Sequence, residues 1–372
     1  MKKTALFAVH STGLGHAARS IPYIKTCLKR GHRVHVISHG RALILLRNTL
    51  GDRVSHYFDI PDYRLDWAYS RHGYSIWRFL FLTLSVSIWE LFKERRAFLA
   101  LDKKYNYDLV FSDTRYNIYK KNAPSLLFLF MIYVPLSWRF LNFLNQLFGA
   151  AYYKIILRHH QKYLFNDYAA VQKSLTGDIL HNLFILERRK CVYLGPISRF
   201  VPAQKSRQDI AQMILLSGPE PQRTVFEEII LRQVDNLPGR TVVVLGRLDA
   251  KKALAFTRKN LRVFNYLRPA QMAGYLRRAE VVVCRSGQGS LMDTYLLRKK
   301  VLLVPTKGQP EQEYLARLHH NKNGFYSVPQ DKLDLRRDIE IVRSLSLPAG
   351  VPQSDTKHTV FIKEVQNLAP WF

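Results

Sequence analysis

The sequence predicts an α/β protein built from two successive doubly wound lobes, and three observations carry that expectation. At 372 residues the chain exceeds one ordinary domain and suits two, each with its own core. Short, wholly apolar runs recur in both halves, separated by helix-length segments, which is the alternation of a parallel sheet. In each half a glycine-rich turn directly follows one of these runs. Hydrophobic residues make up 47% and charged residues 23%, so the chain is globular and not disordered.

The elements follow in order. Ala5 to Val9 reads as a central strand, and Ser11-Thr12-Gly13-Leu14-Gly15-His16 as the turn after it. Ala17, Ile21, Ile24 and Leu28 then recur at helical spacing until Gly31, and His32 to Ser38 is a second strand. Strand, glycine turn, helix and strand make a βαβ unit. Pro22 belongs in the first turn of such a helix, or else kinks it. Leu109-Val110-Phe111 and part of Leu126 to Val134 are further strands. In the second half Met213 to Gly218, Thr241 to Leu245, Leu261 to Phe264, Val281 to Cys284 and Val301 to Val304 are strand-like. The expected division is 1–195 for the first lobe, 196–207 for a linker, 208–354 for the second lobe and 355–372 for a terminal helix. Ligands of such sheets bind beyond the carboxyl ends of the strands.

The most informative loop is Cys284-Arg285-Ser286-Gly287-Gln288-Gly289-Ser290-Leu291-Met292-Asp293, after a strand and opening a helix. Gly287 and Gly289 let a backbone approach a ligand closely. Helix-start amides, the Ser286 and Ser290 hydroxyls and the helix dipole favour a diphosphate. Asp293, one turn in, suits ribose hydroxyls. By spacing alone the loop is equally an ordinary strand-to-helix turn.

Arg-Ser-Gly-x-Gly-Ser-x-x-Asp, followed by Lys299 to Pro305 and Glu311-Gln312-Glu313-Tyr314-Leu315-Ala316, resembles the donor half of GT-B glycosyltransferases. The likeness is closest to family 28, that of the bacterial lipid-intermediate N-acetylglucosaminyltransferase MurG, and looser to the UDP-glucuronosyltransferase superfamily. It covers roughly the last hundred residues and is specific in order and spacing. It implies a GT-B fold of two Rossmann-like lobes facing a cleft, with the terminal helix crossing back to the first lobe. The family's loop holds diphosphate and ribose; Gly287 and Ser290 match it, and Asp293 replaces a Glu. Glu311-Gln312 stands where the family reads the donor sugar. Arg285 and Gln288 join the donor set as members of this loop. Gly13-Leu14-Gly15-His16 resembles the family's first glycine loop, so Gly13 and Gly15 join the donor set as well. By the same resemblance His16 is the general base and Asp113, in Ser112-Asp113-Thr114-Arg115, its partner. Histidine titrates near neutrality, and a carboxylate on its other nitrogen fixes the tautomer. Read without the family, His16 is a capping or packing residue and Asp113 a helix cap.

Other candidates are Ser217, Gly218 and Arg223, after the second lobe's first strand, with Arg223 pairing the diphosphate or simply solvated. Leu267 lies where the family clasps the base. Adjacent histidines His159-His160 and His319-His320 lack metal-ligand spacing and read as surface residues. No metal and no cofactor beyond the nucleotide sugar is expected, since no Asp-x-Asp motif is present. Cys27, Cys191 and Cys284, each inside an apolar run, read as buried small hydrophobes in a reducing compartment.

Lys and Arg number 57 against 28 Asp and Glu, a net charge of +29, which favours polyanionic partners. Basic residues threaded through the apolar, aromatic stretches Tyr63 to Arg96 and Leu126 to Arg158, with Trp67, Trp77, Trp89 and Trp138, favour an anionic membrane surface over nucleic acid. No stretch is long enough to span a bilayer, which needs roughly 20 apolar residues. Met1-Lys2-Lys3 and the apolar run after it imitate a secretory signal that stops at His10. A cytoplasmic protein at the inner membrane face is expected. Two function classes stand: a sugar-nucleotide glycosyltransferase, and a non-transferring relative such as a UDP-N-acetylglucosamine 2-epimerase or a nucleotide-sugar binder.

Overall fold

The computed structural model describes residues 2–12, 14–62, 69–75, 87–132, 154, 157–181, 186–200, 207–347 and 358–372. They belong to two compact units, one of residues 1–64, 80–197 and 354–372, the other of 65–79 and 198–353.

Strands are numbered along the chain. The first unit holds β1 (Thr4–Val9), β2 (Arg33–Ser38), β3 (His56–Asp59), β6 (Leu109–Asp113), β7 (Ser125–Phe128), β8 (Lys162–Phe165) and β9 (Cys191–Tyr193). They form one sheet in the order β3-β2-β1-β6-β7-β8-β9, with every neighbouring pair parallel. Ala5 to Val9 are no more than 1% exposed, because a parallel sheet is covered on both faces. The helix Gly15–Lys29 buries Ala17, Ile21 and Ile24 and continues past Pro22 at its middle. The expectation of a first-turn proline is therefore not met. Pro22 has no N–H to give, but the buried face around it keeps the segment helical.

The helix Thr359–Leu368 closes the first unit. Phe361 is 1% exposed, with its ring centroid 4.6 Å from Tyr23 and 5.4 Å from Phe111. Glu364 pairs with Lys162 at 3.3 Å.

The second unit holds β10 (Ile210–Leu215), β11 (Thr241–Val244), β12 (Leu254–Arg258), β13 (Leu261–Phe264), β14 (Ala279–Cys284), β15 (Lys300–Leu303) and β16 (Phe325–Ser327). Their order is β12-β13-β11-β10-β14-β15-β16, and all pairs are parallel except the edge strand β12. Ile214, Val243, Val283 and Leu302 centre its core. In both sheets the strand order reverses beside the first strand, between β1 and β6 and between β10 and β14. Such switch points open the crevices where doubly wound sheets hold ligands.

The expected boundary placed all of 1–195 in the first lobe, and the hairpin of β4 (Tyr69–Ser70) and β5 (Gly73–Tyr74) departs from it. Tyr74 N donates to Lys307 O at 2.9 Å and Gln222 Nε2 to Ser70 O, while Arg71 grips both oxygens of Glu228. Two glycines permit this approach. A Cβ on Gly73 (φ +133°) would lie 2.6 Å from Lys307 O, and one on Gly308 (φ +75°) 2.7 Å from Tyr74 O.

Three smaller expectations are corrected. His160 and His319 are buried, 1% and 3% exposed, not on the surface. Burial pushes the His160 pKa down to about 3, and its backbone N–H is held by Leu157 O. The His319 ring packs on Phe325. Cys191 is only half-buried, unlike Cys27 and Cys284, because β9 is an edge strand.

Replacing Phe361 by Ala removes the aromatic contact between the terminal helix and the first sheet. We expect a loss of about 3–5 kcal/mol, read as a lower denaturation midpoint of the first unit.

Candidate functional site

In the first unit β1 ends at Val9 beside Asp113, the last residue of β6, so the loop after β1 meets the end of β6 at the switch point. His16 stands in the first turn of the next helix, and its Nδ1 lies 2.8 Å from Asp113 Oδ1. His16 is 8% and Asp113 2% exposed. Sequence reasoning paired these two and missed what surrounds them. Arg19, one turn along the helix, donates from Nε to Asp113 Oδ2 at 2.8 Å and from Nη2 to Oδ1. Ser20 and Thr114 hydroxyls add bonds at 3.1 and 2.9 Å. An Arg three residues after a turn histidine is a helical neighbour, which is the signal that could have found it.

Arg19 Nη2 also stands 2.7 Å from His16 Nδ1. Both groups are drawn to the same acceptor, Asp113 Oδ1. Bonds to a carboxylate are the stronger choice for both, so we assign the proton of His16 to Nδ1 and the free lone pair to Nε2. Burial pushes the Asp113 carboxyl up, but Arg19 and His16 reverse that and hold it below the usual carboxylate range. Burial and then Arg19 bring the His16 pKa down to about 4, so the imidazole is neutral above that pH.

A second buried pair adjoins the first. His10, fully buried, sits 2.5 Å from Asp62, and its ring is edge-on to His16 at 5.1 Å. Asp62 also accepts from Ser11 N and Oγ, both at 2.6 Å, which ties down the start of the glycine turn. Behind it Arg115 is buried against Glu94 and donates to the carbonyls of Ile60 and Pro61. Gly13 lies outside the described residues. Gly15 is the first residue of the helix, with open space where a Cβ would stand.

In the second unit the loop after β14 leads into the helix Gln288–Leu296, with Gly287 as N-cap (φ −78°, ψ 149°) and no side-chain cap. Leu291 N donates to Gly287 O at 3.0 Å, so the amides of residues 288 to 290 precede the intrahelical ladder. Gly289 and Ser290 are partly exposed, and nothing lies within 4 Å of a Cβ built on Gly287. The hydroxyls of Ser217 and Ser290 make no hydrogen bond among the described residues. Ser217 and Gly218 (φ +113°) follow β10, the neighbour of β14, and are partly exposed.

Several expected donor ligands have their polar groups engaged within the chain. The Arg285 guanidinium, 2% exposed, donates to Val304 O, Pro305 O, Gln330 Oε1 and Gln222 O and lies over the Phe226 ring. It is a cross-brace, and burial brings its pKa down to about 9. Ser286 Oγ donates to Gln312 O at 2.7 Å and is fully buried. Arg223 is taken up by Glu220, Glu227 and Leu245 O. Asp293 accepts from Ser198 Oγ at Oδ1, at 2.5 Å, and its Oδ2 lies 3.5 Å from Arg199 Nε. Gln312 Oε1 holds Thr306 N at 2.8 Å, while its Nε2 makes no hydrogen bond among the described residues. Leu267 is a packing residue, 8% exposed, and the side chain of Gln288 is equally buried. Glu311 stays half-exposed, close enough that its charge, after burial and Tyr74, raises the Tyr69 pKa.

Residues 227–369 match the model of the glycosyltransferase family 28 C-terminal domain, and residues 3–123 that of glycosyl transferase family 1. No curated protein matches the chain by sequence. Among solved structures the kitacinnamycin glycotransferase aligns with a TM-score of 0.59 at 14% identity, covering 100% of this chain and 96% of that one. Acinetobacter baumannii MurG aligns at 0.50 and 13%, covering 98% and 99%. Arabidopsis thaliana UGT89C1, complexed with UDP-L-rhamnose, aligns at 0.57 and 14%, covering 99% and 94%. At such identities the likeness is one of fold.

Two substitutions check these assignments. Arg19→Met removes the positive charge that disfavours imidazolium, so the His16 pKa should rise from about 4 towards its ordinary 6.5, read by NMR titration of the ring. Arg285→Met removes the buried donor shared by Val304 O, Pro305 O, Gln222 O and Gln330 Oε1. It should lower Tm by several degrees, in keeping with about 1–3 kcal/mol per unsatisfied buried group.

Proposed function

Because the chain is a glycosyltransferase of the GT-B fold, we propose that it moves a sugar from a UDP-linked donor to a hydroxyl of a lipid-linked or membrane-borne acceptor. The observation that carries the donor half is the uncapped helix entrance at Gly287. Amides without an intrahelical partner, at the positive end of the helix dipole, are a site for an anion. Ser290 Oγ, Ser217 Oγ and the Gly218 backbone stand ready to add donors. The UDP-L-rhamnose complex of the similar Arabidopsis thaliana structure supports a nucleotide-linked donor. The reading needs no metal, since amides and hydroxyls take the role of countercharge.

His16 is the base. Its Nδ1–H is held by Asp113, which leaves Nε2 to take the proton of the acceptor hydroxyl. The acceptor oxygen forms a bond to the anomeric carbon as the bond from that carbon to the diphosphate breaks. The configuration inverts and the nucleoside diphosphate departs. Arg19 keeps Asp113 ionised, so the carboxylate stays an acceptor, while burial and then the Arg19 charge keep the imidazole neutral over the working range.

The membrane half rests on the helix Ser87–Tyr105. Trp89 (66% exposed), Phe92 (67%) and Leu99 (49%) share one stripe with exposed Arg96, while Glu94 and Phe98 face inward. Exposed aromatic and basic residues at helical spacing suit the headgroup layer. Much of the two basic aromatic stretches, 63–68, 76–86 and 133–153, lies outside the described residues. No described helix is long and apolar enough to cross a membrane.

Gly287→Asp tests the donor site. Asp is a favoured N-cap in the β-region backbone seen here, so it should add a few tenths of a kcal/mol of stability while occupying the amides with its own carboxylate. We expect UDP to raise the Tm of the native protein and not that of Gly287→Asp; an undiminished UDP shift in the variant would overturn the reading. His16→Ala should keep the UDP shift and lose about 10²–10⁴ in kcat; in the native protein the acid limb of kcat/KM should fall near pH 4, not 6.5, since the folded-state His16 pKa is about 4. Trp89→Glu with Phe92→Glu should abolish flotation with anionic vesicles at low salt.

A further inference from the structure

We propose that the first unit carries a second anion site, selective for phosphate groups, in a cavity at the amino ends of β1 and β2. The cavity holds about 630 Å³ and is lined by Lys2, Lys25, Leu28, Lys29, Gly31, His32, Arg33, Arg53 and Ser55. Five of these nine residues are Lys or Arg, and none is acidic. Four separate segments supply them. Lys25 and Lys29 come one turn apart from the end of the helix Gly15–Lys29, Arg33 begins β2, Lys2 precedes β1, and Arg53 lies in the short turn before β3. The site is therefore made by the fold, not by a run of basic sequence.

The cations have little to balance them. Among the described residues no ion pair involves Lys2, Lys25, Lys29, Arg33 or Arg53, and Arg53 donates only to the carbonyls of Thr49 and Leu50. Asp108, the carboxylate near His32, is occupied by Lys3 Nζ and by Thr4 N, both at 2.9 Å. The backbone oxygen of Phe372 takes Arg30, which is not in the lining. Lys25 is half-buried, and its pKa is lowered by burial first and then by Arg53 and Lys29. Like charges gathered around a concave space repel one another until an anion enters.

This place is distinct from the candidate active site. His16 and Asp113 lie at the carboxyl ends of β1 and β6, and the cavity lies at the opposite edge of the sheet, about 20 Å away along a six-residue strand. A single small monoanion would leave most of the five charges unmatched, whereas a phosphomonoester or diphosphate brings two or more charges and several acceptor oxygens. Such a group can belong to a soluble metabolite or to a lipid headgroup.

The test is a thermal-shift series at low ionic strength with inorganic pyrophosphate and with glycerol phosphate as headgroup mimic, each against sodium chloride of matched ionic strength. Gly287→Asp serves as background, so that the helix entrance of the second unit does not contribute. We expect at least one phosphate compound to raise Tm above the chloride control, and Lys25→Ala with Arg53→Ala to abolish that rise without lowering the starting Tm. A response to glycerol phosphate alone assigns a headgroup, and one to pyrophosphate alone a soluble phosphate; both support the site. Equal shifts with chloride, or a phosphate shift undiminished in the double variant, would overturn it.

Discussion

The helix Gln288–Leu296 begins with a turn of amides that its own hydrogen-bond ladder does not use. Its N-cap is Gly287, which has no side chain to turn back on the amides. The surrounding side chains do not fill that role. Arg285 and Ser286 are drawn inward to Val304, Pro305, Gln330 and Gln312, and Arg223 is locked between Glu220 and Glu227. The loop is thus rigidly braced from behind while its front is left to solvent or to a ligand. A braced frame around an uncapped helix start is a preorganised anion site, and much of the donor assignment follows from it.

A comparable economy of contacts governs the first unit. Asp113 is a hub on which His16, Arg19, Ser20 and Thr114 converge. One carboxylate cannot serve a guanidinium and an imidazolium equally in a dry site. Burial and then the permanent charge of Arg19 keep His16 neutral. The His10–Asp62 pair beside it fixes Ser11, and with it the entry to the glycine turn. The placement of His16 is therefore set from both sides, by the helix whose first turn it occupies and by the loop that precedes it.

The sequence made the sheet strands of the second half legible because buried parallel strands are continuous apolar runs; Val281 to Cys284 and Leu261 to Phe264 are examples. The pairing of His16 with Asp113 was also legible, through motif order. What composition and spacing could not show is which polar groups the fold had already satisfied. Arg285 looks like a phosphate ligand in one dimension and is a brace in three, because its partners come from residues 222, 304, 305 and 330. The hairpin Tyr69–Tyr74 joins the second unit through two glycines, Gly73 and Gly308, that are far apart in sequence. The basic cavity was hidden for the same reason, since its lysines and arginines come from four segments.

Selective ¹⁵N-glycine labelling gives the most direct test, because only 18 glycines report and two of them stand at the helix entrance. On titration with UDP, the amide signals of Gly287 and Gly289 should move together and saturate, while that of Gly239, in a turn before β11, stays in place. Movement confined to other glycines, with Gly287 and Gly289 unchanged at saturation, would contradict the account at its centre.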